Sequence, residues 1–137
     1  MQTTETTLDI QSIPDLVLID LSLDKIELSD LDKVEEIKKI ILEFYIYDWE
    51  QVNKNCRDQE IVLCRYLIMY FIKLHTPYSL KKIGSFFVGK KGGVKDHSTV
   101  IHAIQTIKDH NDTNKDFNRQ LIVITKKINR VLLWDNK

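Results

Sequence analysis

A chain of 137 residues, 43% apolar and 29% charged, has the length and balance of one domain with its own core. No apolar run approaches the ~20 residues that span a bilayer, and the start "MQTTETTLDI" has neither a basic nor an apolar signal segment, so membrane and secreted classes are not expected. Cys56 and Cys64 make no disulfide framework and read as reduced thiols of a cytoplasmic protein.

The formal net charge of zero hides an asymmetry. Residues 1–32 carry eight acids and one base, whereas residues 33–137 carry nineteen bases and twelve acids. Ile61 to Lys95 holds no acid and seven bases: Arg65, Lys73, Lys81, Lys82, Lys90, Lys91 and Lys95. A one-signed block of that length suits a polyanion; its plainer reading is a solvated lysine-rich face.

In chain order, residues 1–30 mix aliphatics and acids without a helical period, and "DLVLIDLSL" partly alternates as a short strand would. They read as an acidic, loosely ordered arm, free to dock on a partner or screen the basic face, or simply a flexible terminus. Residues 31–137 read as one helical domain. Asp30 or Asp32 caps a first helix that ends near Tyr47, with Val34, Ile37, Ile40, Ile41, Phe44 and Tyr45 inward. Asp48 caps a short second helix, and "NKNCRD" is a loop. Asp58 opens a long helix to about His75, apolar nearly all round and therefore expected at the centre. Pro77 stops it. Ser79 caps a short helix with Leu80, Ile83 and Phe87 inward, where Gly84 permits close approach. After the basic glycine-rich loop "VGKKGGVK" comes a helix from about Ser98 to His110. "NDTNKD" reads as a turn, and a last helix from about Thr113 to Leu133 buries Phe117, Leu121, Ile124, Ile128 and Leu132. The expectation is an all-α fold of about five to six helices.

The stretch "VKDHSTVIHAIQTI" sets Asp96, His97, Ser98 and Thr99 at the front of that second-to-last helix. A Ser-His-Asp site needs convergent side chains, and consecutive residues at a helix start diverge. A zinc site needs ligands on one face; His97 and His102 do not provide one, and no HExxH or CxxC pattern exists. "GSFFVGKK" nearly matches a phosphate loop, but Lys91 stands where the magnesium-binding hydroxyl belongs and a helix precedes it instead of a strand. No enzyme, metal, cofactor or small-molecule substrate is expected. A short helix, a turn and a second helix with a polar tip make a helix-turn-helix at about 79–110, whose second helix enters the major groove tip first. There Asp96 can accept from cytosine, His97 and Ser98 can bond base edges, and the Thr99 methyl can touch thymine. Plain N-capping accounts for Asp96, Ser98 and Thr99 equally well, and is compatible with base contact.

"SLKKIGSFF" followed by "VKDHSTVIHAIQTI" resembles the DNA-binding C-terminal domain of the bacterial replication initiator DnaA, a Trp-repressor-like helix-turn-helix. The resemblance spans roughly Lys33 to Lys108. It implies base reading by Asp96, His97 and Ser98, and a minor-groove arginine at Arg57. It implies backbone or groove-edge positions for Arg65, Lys73, Leu80, Thr99 and His102. Lys81, Lys82, Lys90, Lys91 and Lys95 join these as phosphate contacts on charge. Three departures stand out. The family's arginine-rich loop is here "NKNCRDQE", Lys81 replaces a usual proline, and the loop before the hallmark run is longer. No ATPase domain is expected in this chain.

The expected function is sequence-specific binding of duplex DNA, at A·T-rich boxes like those initiators use, in replication initiation or its regulation, with the protein cytoplasmic and associated with the nucleoid. The alternative is a transcriptional regulator or protein-interaction module. It would keep the scaffold and dock on an initiator or other replication protein through the acidic arm or the Trp134 end.

Overall fold

A computed structural model describes residues 28–54, 57–89 and 92–132. The expected acidic arm up to residue 27, with its partial strand, lies outside these residues, as do Cys56, Lys90, Lys91 and Trp134. Among the described residues the chain runs α1 (Asp30–Tyr45), α2 (Trp49–Val52), α3 (Gln59–His75), α4 (Leu80–Gly84), α5 (His97–Thr113) and α6 (Lys115–Leu132). The all-α expectation holds.

Helix starts follow short polar side chains, because the first amides of a helix lack partners within it. Asp48, Asp58, Ser79 and Asp96 each accept from an amide two or three residues on. Asp48 adds a reciprocal bond from its own amide to Gln51 Oε1, at 2.9 Å. At α1 the cap is Ser29, which accepts the Asp32 amide at 3.1 Å, and not Asp30 or Asp32. The helix ends at Tyr45, short of Tyr47. Ile46 turns left-handed (φ 61°, ψ 52°), and the amides of Ile46 and Tyr47 both donate to Leu42 O. The polar run after α5 is not a six-residue turn either. Thr113 Oγ1 donates to Asp109 O, and Asn114 is the break, its Oδ1 capping Phe117 N at 2.9 Å.

The core forms around α3. Cys64, Leu67, Ile68, Met69, Phe71 and Ile72 are all fully buried, as a helix apolar on most sides requires. It packs against α1, α2, α4 and α5. Helix α6 buries Phe117, Leu121, Ile124, Ile128 and Leu132 against α1 and α5, the stripe its periodicity predicts. Burial pushes the Cys64 thiol up to about 12, with Glu60 adding to the rise, so it stays protonated and inert.

Two glycines set the approach to α5. A Cβ on Gly84 would stand 2.3 Å from Lys95 O, and one on Gly89 would stand 2.5 Å from Val94 O. The partner close to Gly84 is thus the backbone leading into α5. The glycine-rich loop closes on itself: Val88 and Val94 form an antiparallel bridge, Gly89 N donates to Gly93 O at 2.7 Å, and Lys95 N donates to Phe87 O at 3.2 Å. A small hairpin therefore lies between α4 and α5, which helical periodicity does not reveal.

Candidate nucleic-acid interface

Helix α5 presents the polar tip. Asp96 Oδ1 accepts from Thr99 N at 3.0 Å and from Thr99 Oγ1 at 3.1 Å. The Thr99 bonds hold the Asp96 carboxyl below the usual carboxylate range. The aspartate stays charged at neutral pH and fixes the first turn. His97 and Ser98 follow, both exposed. One turn on, His102 is exposed, its ring edge-on to Tyr66 at 5.8 Å between centroids and its Nε2 3.5 Å from Thr106 Oγ1. Ile101, on the same outward face, is 49% exposed. The sequence gives it no polar signal to mark it; its position one residue past the buried Val100 and four past His97 places it on the exposed side.

Helix α4 packs against α5 and begins at Leu80, which is half-buried. Lys81 and Lys82 are exposed; Lys82 Nζ lies 5.4 Å from the Phe86 ring centre and 5.9 Å from that of Tyr78. Lys73 is exposed near the end of α3, and Lys95 is half-buried just before the Asp96 cap. The structure thus brings Lys81, Lys82, Lys95, Asp96, His97 and Ser98 onto the connected α4–α5 unit.

Arg57 is exposed ahead of α3. It lines a cleft of about 520 Å³ whose other wall includes Thr106 and His110 of α5. This residue, which the resemblance marks as a minor-groove arginine, therefore lies across a cleft from the second half of α5.

Arg65 departs from expectation. It is only 4% exposed, its Nε donates to Val52 O at 3.1 Å, and its Nη2 donates to Lys54 O. A phosphate contact needs an outward guanidinium; this one ties the exit of α2 to α3. Both sources of the expected phosphate role, the resemblance and the acid-free block, go by position and charge along the chain, which do not tell which side of α3 faces the core.

Residues 34–107 match the family model described as the bacterial dnaA protein helix-turn-helix. The chain belongs to this family. It carries a DnaA-like helix-turn-helix DNA-binding domain, and the match runs from α1 into α5. It is 32% identical over 88 residues to the chromosomal replication initiator protein DnaA of Bacteroides fragilis, covering 64% of this chain and 17% of that protein. To the same protein of Flavobacterium psychrophilum it is 33% identical over 95 residues, covering 69% and 19%. To that of Brucella abortus it is 33% identical over 97 residues, covering 71% and 18%. The chain spans less than a fifth of the length of these curated relatives. Among the described residues, no helix of the DnaA-family domain is long and apolar enough to cross a membrane.

Proposed function

We propose that this DnaA-family domain reads double-stranded DNA in sequence-specific fashion and acts in replication initiation or its regulation, at A·T-rich boxes of the initiator type. The observation that carries the reading is the exposed, pre-capped tip of α5, with His97 and Ser98 outward and Lys81 and Lys82 exposed on α4, which packs against it. A tip held in place by its own cap needs little further ordering when it enters a major groove.

In this reading Asp96, His97 and Ser98 face base edges, and Ile101 offers an apolar surface to a thymine methyl. Lys73, Lys81, Lys82, Lys90, Lys91 and Lys95 neutralise phosphates, and Thr99, His102 and the start of α4 at Leu80 lie along the groove edge and backbone. Arg57 enters the adjacent minor groove, where a narrow A·T-rich tract concentrates negative potential. Asp58 and Glu60 beside it lower that attraction, so we assign most of the base preference to α5.

The test is fluorescence anisotropy of a labelled duplex carrying an initiator-type box against a scrambled one, across a salt series. Binding that favours the box by tens-fold or more, and weakens steeply with salt, is expected. Lys81→Ala and Lys82→Ala should each lower the logarithmic salt slope by about 1 without changing the preference. Equal, weak binding to both duplexes and to every member of a random duplex pool would sink the proposal.

A further inference from the structure

If the reading above holds, two contact elements come from distant parts of the chain: Arg57 ahead of α3, and the tip of α5. To engage neighbouring grooves of one duplex together, they must be held at a set separation. Residues 52–54 are bonded both to α3, which Arg57 precedes, and to the hairpin that leads into α5. Toward α3, Arg65 donates to the carbonyls of Val52 and Lys54. Toward the helix-turn-helix, Asn53 Oδ1 accepts the Val88 amide at 2.8 Å, a bond across 35 positions of sequence. Trp49 of α2 packs on Phe87 beside it, with ring centres 5.6 Å apart.

Val88 is the near strand of the hairpin whose far strand, Val94–Lys95, leads straight into the Asp96 cap. That hairpin has little slack. Lys95 N bonds Phe87 O, and the backbone of Val94 leaves no room for a Cβ on Gly89. A shift at Val88 is therefore passed on to the start of α5. Asn53 suits the joint because it closes α2, its own amide donating to Trp49 O at 2.8 Å, while its side chain remains available as an acceptor.

We propose that Asn53 is a positioning residue for DNA binding: by accepting the Val88 amide it registers the Arg57 segment against the recognition helix, so that Arg57 and His97 meet one duplex together. This rests on the base-reading role of α5. The bond touches no DNA; it acts through the spacing of groups that do.

The test uses the full chain and the two duplexes above. Loss of one hydrogen bond should weaken binding to the box by roughly three- to tenfold in Asn53→Ala. Binding to the scrambled duplex and the thermal midpoint should stay unchanged. Asn53→Asp keeps the acceptor and should recover the ratio of box to scrambled affinity, since its added charge weakens both alike. Val88→Pro deletes the donor from the other side and should lower the ratio as Asn53→Ala does. In an Arg57→Ala background, Asn53→Ala should cost nothing further. An equal cost in that background, or an unchanged ratio in Asn53→Ala, overturns the positioning role alone. Equal binding of both duplexes by the unaltered chain overturns base reading, and the positioning role with it.

Discussion

Helices α3 and α5 both begin on an aspartate cap and then diverge. Asp58 accepts the amides of Glu60 and Ile61 at 3.0 and 3.3 Å, much as Asp96 accepts that of Thr99. Past the cap, α3 places Glu60 in its first turn, where Tyr47 Oη donates to it, and turns its one early arginine inward to the carbonyls of Val52 and Lys54. Past its cap, α5 has no acid in the first turn and leaves His97, Ser98, Ile101 and His102 outward. The local device is the same; the surroundings decide its use. Helix α3 is packed by four neighbours and the polar groups of its first half, Glu60 and Arg65, serve the fold, whereas α5 keeps a free face.

The strongest way to break this contrast is at Arg65. Arg65→Ala strands two carbonyls, one of them that of the core residue Val52, and should cost about 2–4 kcal/mol of stability by chemical denaturation. Its salt slope for DNA should stay that of the unaltered chain. A slope lower by about 1, with stability intact, would return Arg65 to the phosphate-contacting side. Next is Gly84→Ala. The new methyl meets the Lys95 carbonyl, so either α4 or the lead-in to α5 must move, at about 1–3 kcal/mol. Thermal denaturation together with box affinity should show both falling.

The contrast is sharpened at the tip. His97→Ala should lower box affinity by about 1–3 kcal/mol and relax base preference, with the thermal midpoint unchanged because the ring is exposed. A smaller effect is expected far from the interface. Ile46 is β-branched, left-handed and 87% exposed, so Ile46→Gly should stabilise the fold by about 1 kcal/mol without altering DNA binding. The smallest is a pH effect. Burial, with Lys33 nearby, holds the His75 imidazole below its ordinary value of 6.5. The unfolded chain thus takes up the proton more readily. Stability fully present above the ordinary value of 6.5 should drain as pH falls from there through the lower folded-state value, and His75→Gln should flatten that decline below pH 6.5.

Caps and stripes were readable because they are local. Asp48, Asp58 and Ser79 act within three residues, and the five buried positions of α6 repeat with the helical period. The hallmark run from Asp96 to His102 is local too, and it identified the helix that carries the tip. Misreadings arose where polar residues had two uses. "NDTNKD" looked like a turn, yet Asn111 to Thr113 continue α5 and Asn114 alone both ends one helix and caps the next. Asp30 and Asp32 looked like caps, but Ser29 holds the extended conformation a cap requires.

By itself the sequence determined the helix content, most helix starts, the core stripe and the membership that the α5 tip announces. All of these rest on interactions within one or two helical turns. Only the tertiary structure decided that Arg65 faces inward, that Gly84 lies under the Lys95 carbonyl, that the glycine-rich loop closes into a hairpin, and that Asn53 reaches Val88. Each of these joins residues well separated along the chain. Such contacts depend on how whole helices pack, and no local period or propensity encodes which partner arrives.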